Sequence, residues 1–175
     1  MISEIRIHLW LVPSVATSIG KKNWQLAIGN WQSKMTSLIR KHLAFAGALL
    51  FFAGMITGIW SAAALSGTVV VGMPRLALVA HLNALLGGLW LLAVAWSFEF
   101  LHYGEKGLRR LAIGVGIPAW ANWLVTLFAS FMGVTGLKYT GNHANDVIAF
   151  LLQALVVVPT LIACGFWVWG FRRKG

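Results

Sequence analysis

His81 and Asn83 lie well inside an apolar run from Arg75 to Leu101, RLALVAHLNALLGGLWLLAVAWSFEFL. A hydrocarbon core of ~30 Å is crossed by about 20 apolar residues in a helix, and this run is long enough. Polar groups at that depth are costly, so an intramembrane histidine points to function. At 3.6 residues per turn, Ala77, Ala84 and Gly88 fall within about 60° of His81. The stripe therefore holds one ligand-type side chain among residues with almost no bulk. Two readings stand side by side. Small residues let helices approach closely, and the histidine then donates a bond to a neighbour. Alternatively a flat cofactor lies on the stripe, with His81 as its axial ligand and Ala77, Ala84 and Gly88 beneath it.

Other polar groups share this level. In the third apolar run, Pro118, Asn122, Thr126 and Ala129 fall on one helical face. Pro118 removes a backbone donor, so a local bend is expected. A buried amide in lipid must find partners, so Asn122 faces protein or a cavity. Gln153 of the fourth run lies roughly 10 Å below the outer boundary, as His81 does. His81, Asn83, Asn122, Thr126, Ser130 and Gln153 thus form a polar layer in the outer half. Interhelical bonding and a pocket lining both account for it. There is no hydrolase triad, no pair of mid-membrane carboxylates and no intramembrane lysine. What remains for chemistry is a Lewis acid or electrophile with neutral polar helpers. That suits a redox-neutral rearrangement of a small apolar substrate dissolved in the membrane.

The elements that position these residues follow from composition. The chain is 59% hydrophobic and 10% charged, with a mean hydropathy of +0.78. This is an all-α integral membrane protein. Four runs have the length of tilted transmembrane helices: about 42–65, 75–101, 111–136 and 147–171. The net charge of +10 reads as topology and contact with anionic lipid, not nucleic-acid binding, because the basic residues flank apolar runs. All but Arg75 and Lys138 lie before the first run, between the second and third, or after the fourth. Both termini and the middle loop are therefore expected to be cytoplasmic. In a bacterium the multi-pass protein would sit in the cytoplasmic membrane. His42 and His102 then lie at cytoplasmic helix ends, and Glu99 is paired or snorkelling.

Residues 1–34 fit neither a span nor a secretory signal, because Pro13 interrupts the apolar patch and Lys21 and Lys22 follow it. They read as an extension, either dispensable or lying on the membrane through Trp10, Trp24 and Trp31. The membrane domain is 35–175. The outer loop LKYTGNHAND offers Asn145 or Asp146 as N-cap of the fourth helix. His143 and Asp146 are at most two ligands of a metal site. Cys164 forms no disulfide within the chain and reads as a small packing residue.

MPRLALVAHLNALLGG and PAWANWLVTLFAS resemble hydroxylaminobenzene mutase and, more distantly, styrene oxide isomerase. The resemblance runs from about Met35 to Phe171. It implies a small four-helix membrane isomerase. It further implies haem b held at a trimer interface, with the axial histidine at His81 and ferric iron acting as a Lewis acid. Asn122 matches the family's third-span asparagine. Two positions depart. Gly87 stands where the epoxide isomerases have an asparagine, and Thr126 where they have a tyrosine. This favours rearrangement of an arylhydroxylamine to an aminophenol over isomerisation of an aryl epoxide to an aldehyde. Asn122 and Thr126 are then the candidate catalytic residues, and Asn83, Gly87 and Gln153 the candidate pocket lining. Asn83 does not replace the missing asparagine, since it points some 200° from His81. A haem-binding electron-transfer or sensor subunit, and a non-catalytic oligomeric scaffold, are the rivals from other classes.

Overall fold

The computed structural model describes residues 21–172, with side chains from residue 34 onward. The expectations for residues 1–20, and for the side chains of Trp10, Trp24 and Trp31, lie outside the described residues, while 21–34 are helical and continuous with the first span, expected from about 42. The chain divides into two units, Met1–Leu38 and Ile39–Gly175, and the second carries everything that follows. Helix α1 spans Lys21–Leu65, α2 Pro74–Ser97 and α3 Glu105–Met132. A 3₁₀ turn, Phe98–Phe100, closes α2. The fourth span is composite: α4 (His143–Leu151), a π-helical turn (Leu152–Val157) and α5 (Val158–Gly170). No strand occurs among the described residues. The stretches long and apolar enough to cross a membrane are Lys34–Leu65, Pro74–Phe100, Glu105–Met132 and His143–Gly170. The protein is an all-helical, multi-pass membrane protein.

Its helix ends are set by local chemistry. Pro74 opens α2, where a missing N–H costs nothing. The third span stops at Met132, four residues before the expected limit. Gly133 takes a left-handed φ of 69° there and its N–H closes on the Ala129 carbonyl. The fourth helix starts at His143, capped by Asn142 and not by Asn145 or Asp146. Asn145 and Asp146 instead brace the loop before it. Asn145 donates to the Lys138 carbonyl at 2.7 Å, and Asp146 accepts from the Thr140 and Gly141 N–H groups. Pro118 lies within α3, which stays helical through it. The π turn precedes Pro159. The Val158 N–H reaches back to the Gln153 carbonyl, five residues away.

Leu50, Leu91, Val94, Leu111 and Val115 are fully buried and fill the centre, with Ala163 and Phe166 of α5 against them. Side-chain bonds tie the helices at several levels. Trp123 donates to the Thr57 hydroxyl at 3.1 Å, and Trp167 to the Ser97 hydroxyl at 2.9 Å. Tyr103 donates to the Phe166 carbonyl at 2.6 Å and stacks on its ring at 4.4 Å. Partial burial pushes the Tyr103 hydroxyl above its ordinary pKa. Glu99 pairs with Arg40, as its place at a helix end allows.

Glycine brings α1 and α2 together. A Cβ on Gly88 would lie 2.7 Å from the Gly47 carbonyl oxygen, and one on Gly47 would lie 2.9 Å from that of Gly88. Neither obstacle is a movable side chain. Gly88→Ala is expected to destabilise the protein by about 1–3 kcal/mol in a detergent unfolding titration. Gly116→Ala, which meets nothing within 4 Å, is expected to be neutral or stabilising by up to about 1 kcal/mol. Equal effects at both positions would discount the close approach.

Candidate active site

His81 faces α1. Its Nδ1 lies 2.7 Å from the Gly54 carbonyl oxygen. A carbonyl only accepts, so Nδ1 carries the hydrogen and a neutral ring leaves Nε2 as a lone pair. Nε2 has no hydrogen-bond partner among the described residues and is not sealed off by burial. The ring rests on Gly58, where a Cβ would approach Cε1 to 2.7 Å and Nδ1 to 2.8 Å. Gly54 and Gly58 are one helical turn apart, so one supplies the carbonyl and the other the space. This is the arrangement in which an outer carbonyl fixes the tautomer and angle of a metal-ligating imidazole.

The opposite side of α2 carries the amide seam. Asn83 donates through Nδ2 to Asn122 Oδ1 at 3.1 Å and to Thr126 Oγ1 at 3.0 Å. Thr126 is buried in this contact between α2 and α3. Beside it opens a cavity of about 260 Å³ between α2, α3 and the fourth span. Asn83, Gly87 and Trp90 form the α2 wall; Pro118, Ala119 and Asn122 form the α3 wall; Val156 and Thr160 close it from the fourth span. Gly87 packs against Leu50 and Ala119, where a Cβ would meet Leu50 Cδ2 at 3.1 Å. No charged group lines the cavity. It is larger than the ~150 Å³ that takes one benzene and suits a single-ring aromatic.

The family model described as styrene oxide isomerase matches residues 39–172. The chain belongs to that family. It is an isomerase of the membrane. It is also 32% identical over 143 residues to "Hydroxylaminobenzene mutase HabB" of Ectopseudomonas oleovorans, covering 77% of this chain and 82% of that one. No solved structure matches.

The rest of the expected site distributes differently in this isomerase. Ala77 and Ala84 are fully buried and Gly88 is buried with them. Ala84 and Gly88 lie against Gly54 and Gly47 of the first span. The stripe is occupied by helix packing and offers no open shelf beside His81 within one chain. Gln153 is exposed and accepts from Tyr139 at 3.3 Å, and it is absent from the cavity wall. It belongs to the π turn, and the shared depth that grouped it with the seam did not fix the face it presents. Ser130 is buried, donates to the Leu127 carbonyl, and lends its own carbonyl to the Met73 N–H. The expected single layer is therefore two places on opposite sides of α2: His81 alone, and Asn83 with Asn122 and Thr126. His143 and Asp146 gain no third ligand, and no group of three or more metal-binding side chains occurs among the described residues.

Val156 and Thr160, and the Gly54–Gly58 support of His81, were missed by sequence reasoning. The signal for the second was present: two glycines four apart in an apolar run mark a close helix contact. Asn83→Ala is expected to destabilise the isomerase by about 1–2 kcal/mol, because Asn122 and Thr126 lose a shared donor. A double-mutant cycle with Asn122→Ala should show coupling of about 1 kcal/mol. Additive effects would break the seam assignment.

Proposed function

We propose that this isomerase rearranges an arylhydroxylamine to an aminophenol, with haem b on His81. The carrying observation is the 2.7 Å contact of His81 Nδ1 with the Gly54 carbonyl, which in the neutral ring gives the hydrogen to Nδ1 and the lone pair to a partnerless Nε2. A single supported imidazole with a free Nε2 fits an axial haem ligand. When bound, ferric haem supplies a Lewis acid for the oxygen of the substrate's N–O bond. The reaction breaks that N–O bond and forms a ring C–O bond, with a ring proton passing to solvent and one returning to nitrogen. Nothing is oxidised or reduced overall. Asn122 holds the polar substituent in the cavity. Asn83, itself held by Thr126, holds Asn122 in orientation, and Trp90 and Ala119 give the ring an apolar wall.

His81 and the cavity face opposite ways from α2, so a single chain does not bring them together. A second copy, presenting His81 toward its neighbour's cavity, would. This supports a homo-oligomer, a trimer by the resemblance already drawn. The charge distribution supports the cytoplasmic membrane as its place, with both termini on the cytoplasmic side, lipid around the exposed apolar faces, and no nucleic-acid partner.

Isomerisation of an aryl epoxide to an aldehyde is the second reading, favoured by the description of the matching family. Against it, Thr126 is committed to Asn83 and position 87 has no side chain. The two readings separate by assay. Purified protein, loaded with haem and given no reductant, is expected to convert phenylhydroxylamine to aminophenol faster than styrene oxide to phenylacetaldehyde. The reverse order would favour the epoxide reading, and a requirement for an electron donor would exclude both.

His81→Ala is expected to abolish the Soret band of detergent-purified protein while membrane insertion persists. Gly58→Ala should lower haem content as well, since its Cβ displaces the ring. Full haem occupancy in His81→Ala would remove the axial assignment. Asn122→Ala should cut turnover by about ten-fold or more with haem content retained; equal loss of both would make Asn122 a structural residue.

A further inference from the structure

Hydroxyls in membrane helices usually satisfy themselves by bonding a carbonyl one turn back. Here Thr57 donates to the Ala53 carbonyl, Ser61 to Gly58, Ser97 to Val94 and Ser130 to Leu127. Thr126 is held from α2 by Asn83. Thr160 departs from this pattern. It lines the cavity, yet its hydroxyl has no protein partner among the described residues. Its one-turn-back carbonyl, on Val156, belongs to the π turn at Leu152–Val157, where the ordinary α-helical spacing is lost.

Two residues that line the same cavity each keep a free polar atom. Asn122 uses its oxygen toward Asn83, so its Nδ2 donors remain. Asn83 uses its Nδ2, so its oxygen remains. Exchanging O and N in both amides keeps the bond between them and still leaves one donor and one acceptor. None of these atoms is sealed in protein, because no buried side-chain nitrogen or oxygen lacks a partner among the described residues. The cavity thus combines an apolar wall with a donor from α3, an acceptor from α2 and a hydroxyl from the fourth span that can be either.

We propose that Thr160 is a substrate-binding residue that, with Asn83 and Asn122, selects a single-ring aromatic whose substituent both donates and accepts hydrogen bonds. This deepens the arylhydroxylamine reading and rests on it for the reaction, though not for binding. A hydroxylamino, amino or phenolic group satisfies all three protein groups. An epoxide or ether only accepts, and leaves the Asn83 oxygen unpaired in an apolar site, where an unmade bond is costly. A hydrocarbon leaves all three unpaired.

The test is binding of 2-aminophenol and of toluene to purified, haem-loaded protein by isothermal titration, compared among wild type, T160V and T160S. T160V keeps the shape and removes the hydroxyl. It is expected to raise the Kd of 2-aminophenol about three- to ten-fold, with the Kd of toluene changed less than about two-fold. T160S is expected to restore the wild-type value. T160A serves as the second deletion should valine disturb the π turn, and the Soret band and unfolding midpoint report an intact fold. In turnover, KM for phenylhydroxylamine should rise more than kcat falls. An unchanged 2-aminophenol Kd in both deletions, or equal weakening of toluene, overturns the proposal. If wild type binds 2-aminophenol through Thr160 but does not turn over phenylhydroxylamine, the proposed reaction fails and the binding assignment stands.

Discussion

The close approach of α1 to α2 is the constraint on which the site depends. Lipid tails are as apolar as leucine, so no hydrophobic force presses two such helices together. Packing and interhelical bonds must do it. Gly47, Gly54 and Gly58 remove the side chains from one face of α1, and Ala84 and Gly88 answer from α2. A backbone carbonyl in mid-helix is ordinarily committed to its own ladder and screened by side chains. The bare surface around Gly54 lets the His81 imidazole reach that carbonyl at 2.7 Å. The same contact therefore joins the helices, satisfies one ring nitrogen and frees the other. The packing contact of His81 and the ligand role proposed for it are compatible in one geometry.

A second consequence concerns the other side of α2. With its small residues committed to α1, the helix turns Asn83 toward α3. There its two amide hydrogens divide between Asn122 and Thr126. The bond uses half of each asparagine and leaves the complementary half at the cavity. A pair of amides in this relation is well suited to an apolar interior. It is neutral, so it carries no ionisation cost, and it offers donor and acceptor together without a charged side chain. The division also separates the imidazole from the amides by the width of a helix. That separation is why an assembly of copies enters the functional reading at all.

The four spans were legible because hydropathy and length are sufficient in lipid, where helices must satisfy their own backbone groups. His81, Asn83, Asn122 and Thr126 were legible as polar residues in costly positions. Which of them meet was only partly legible. The 200° between His81 and Asn83 follows from helix geometry, yet grouping the polar residues by depth joined the two faces into one layer. The bundle's arrangement, which decides that Asn83 meets Asn122 and Thr126, does not follow from any one helix. Gln153 was placed by depth alone, and depth does not say which way a side chain faces: it is exposed and bonds Tyr139 instead of turning to the cavity. Thr160 carried no signal in the sequence, because a threonine in an apolar helix ordinarily bonds a carbonyl one turn back. Of the two readings of the Ala77–Ala84–Gly88 stripe, close packing describes Ala84 and Gly88 within one chain, where the neighbours are Gly54 and Gly47 of α1.

The π turn links these observations to the chemistry. A π turn costs regular hydrogen bonding, and such turns are frequent at functional sites. Pro159 accounts for part of it, since proline supplies no N–H to the preceding turn and the ladder must rearrange around it. Proline alone would be met equally well by a kink facing lipid. Here the rearranged turn borders the cavity through Val156, and the first hydroxyl after it is the one left without a partner. An irregular backbone inside a membrane is tolerated where protein or a cavity surrounds it. A polar cavity beside the turn gives the irregularity a place and the free hydroxyl an accepting ligand. The same reasoning explains the absence of charge in the wall. An isomerisation, which needs no net transfer to a second substrate, needs groups that hold and orient, and two amides and a hydroxyl do so without the desolvation cost of an ion.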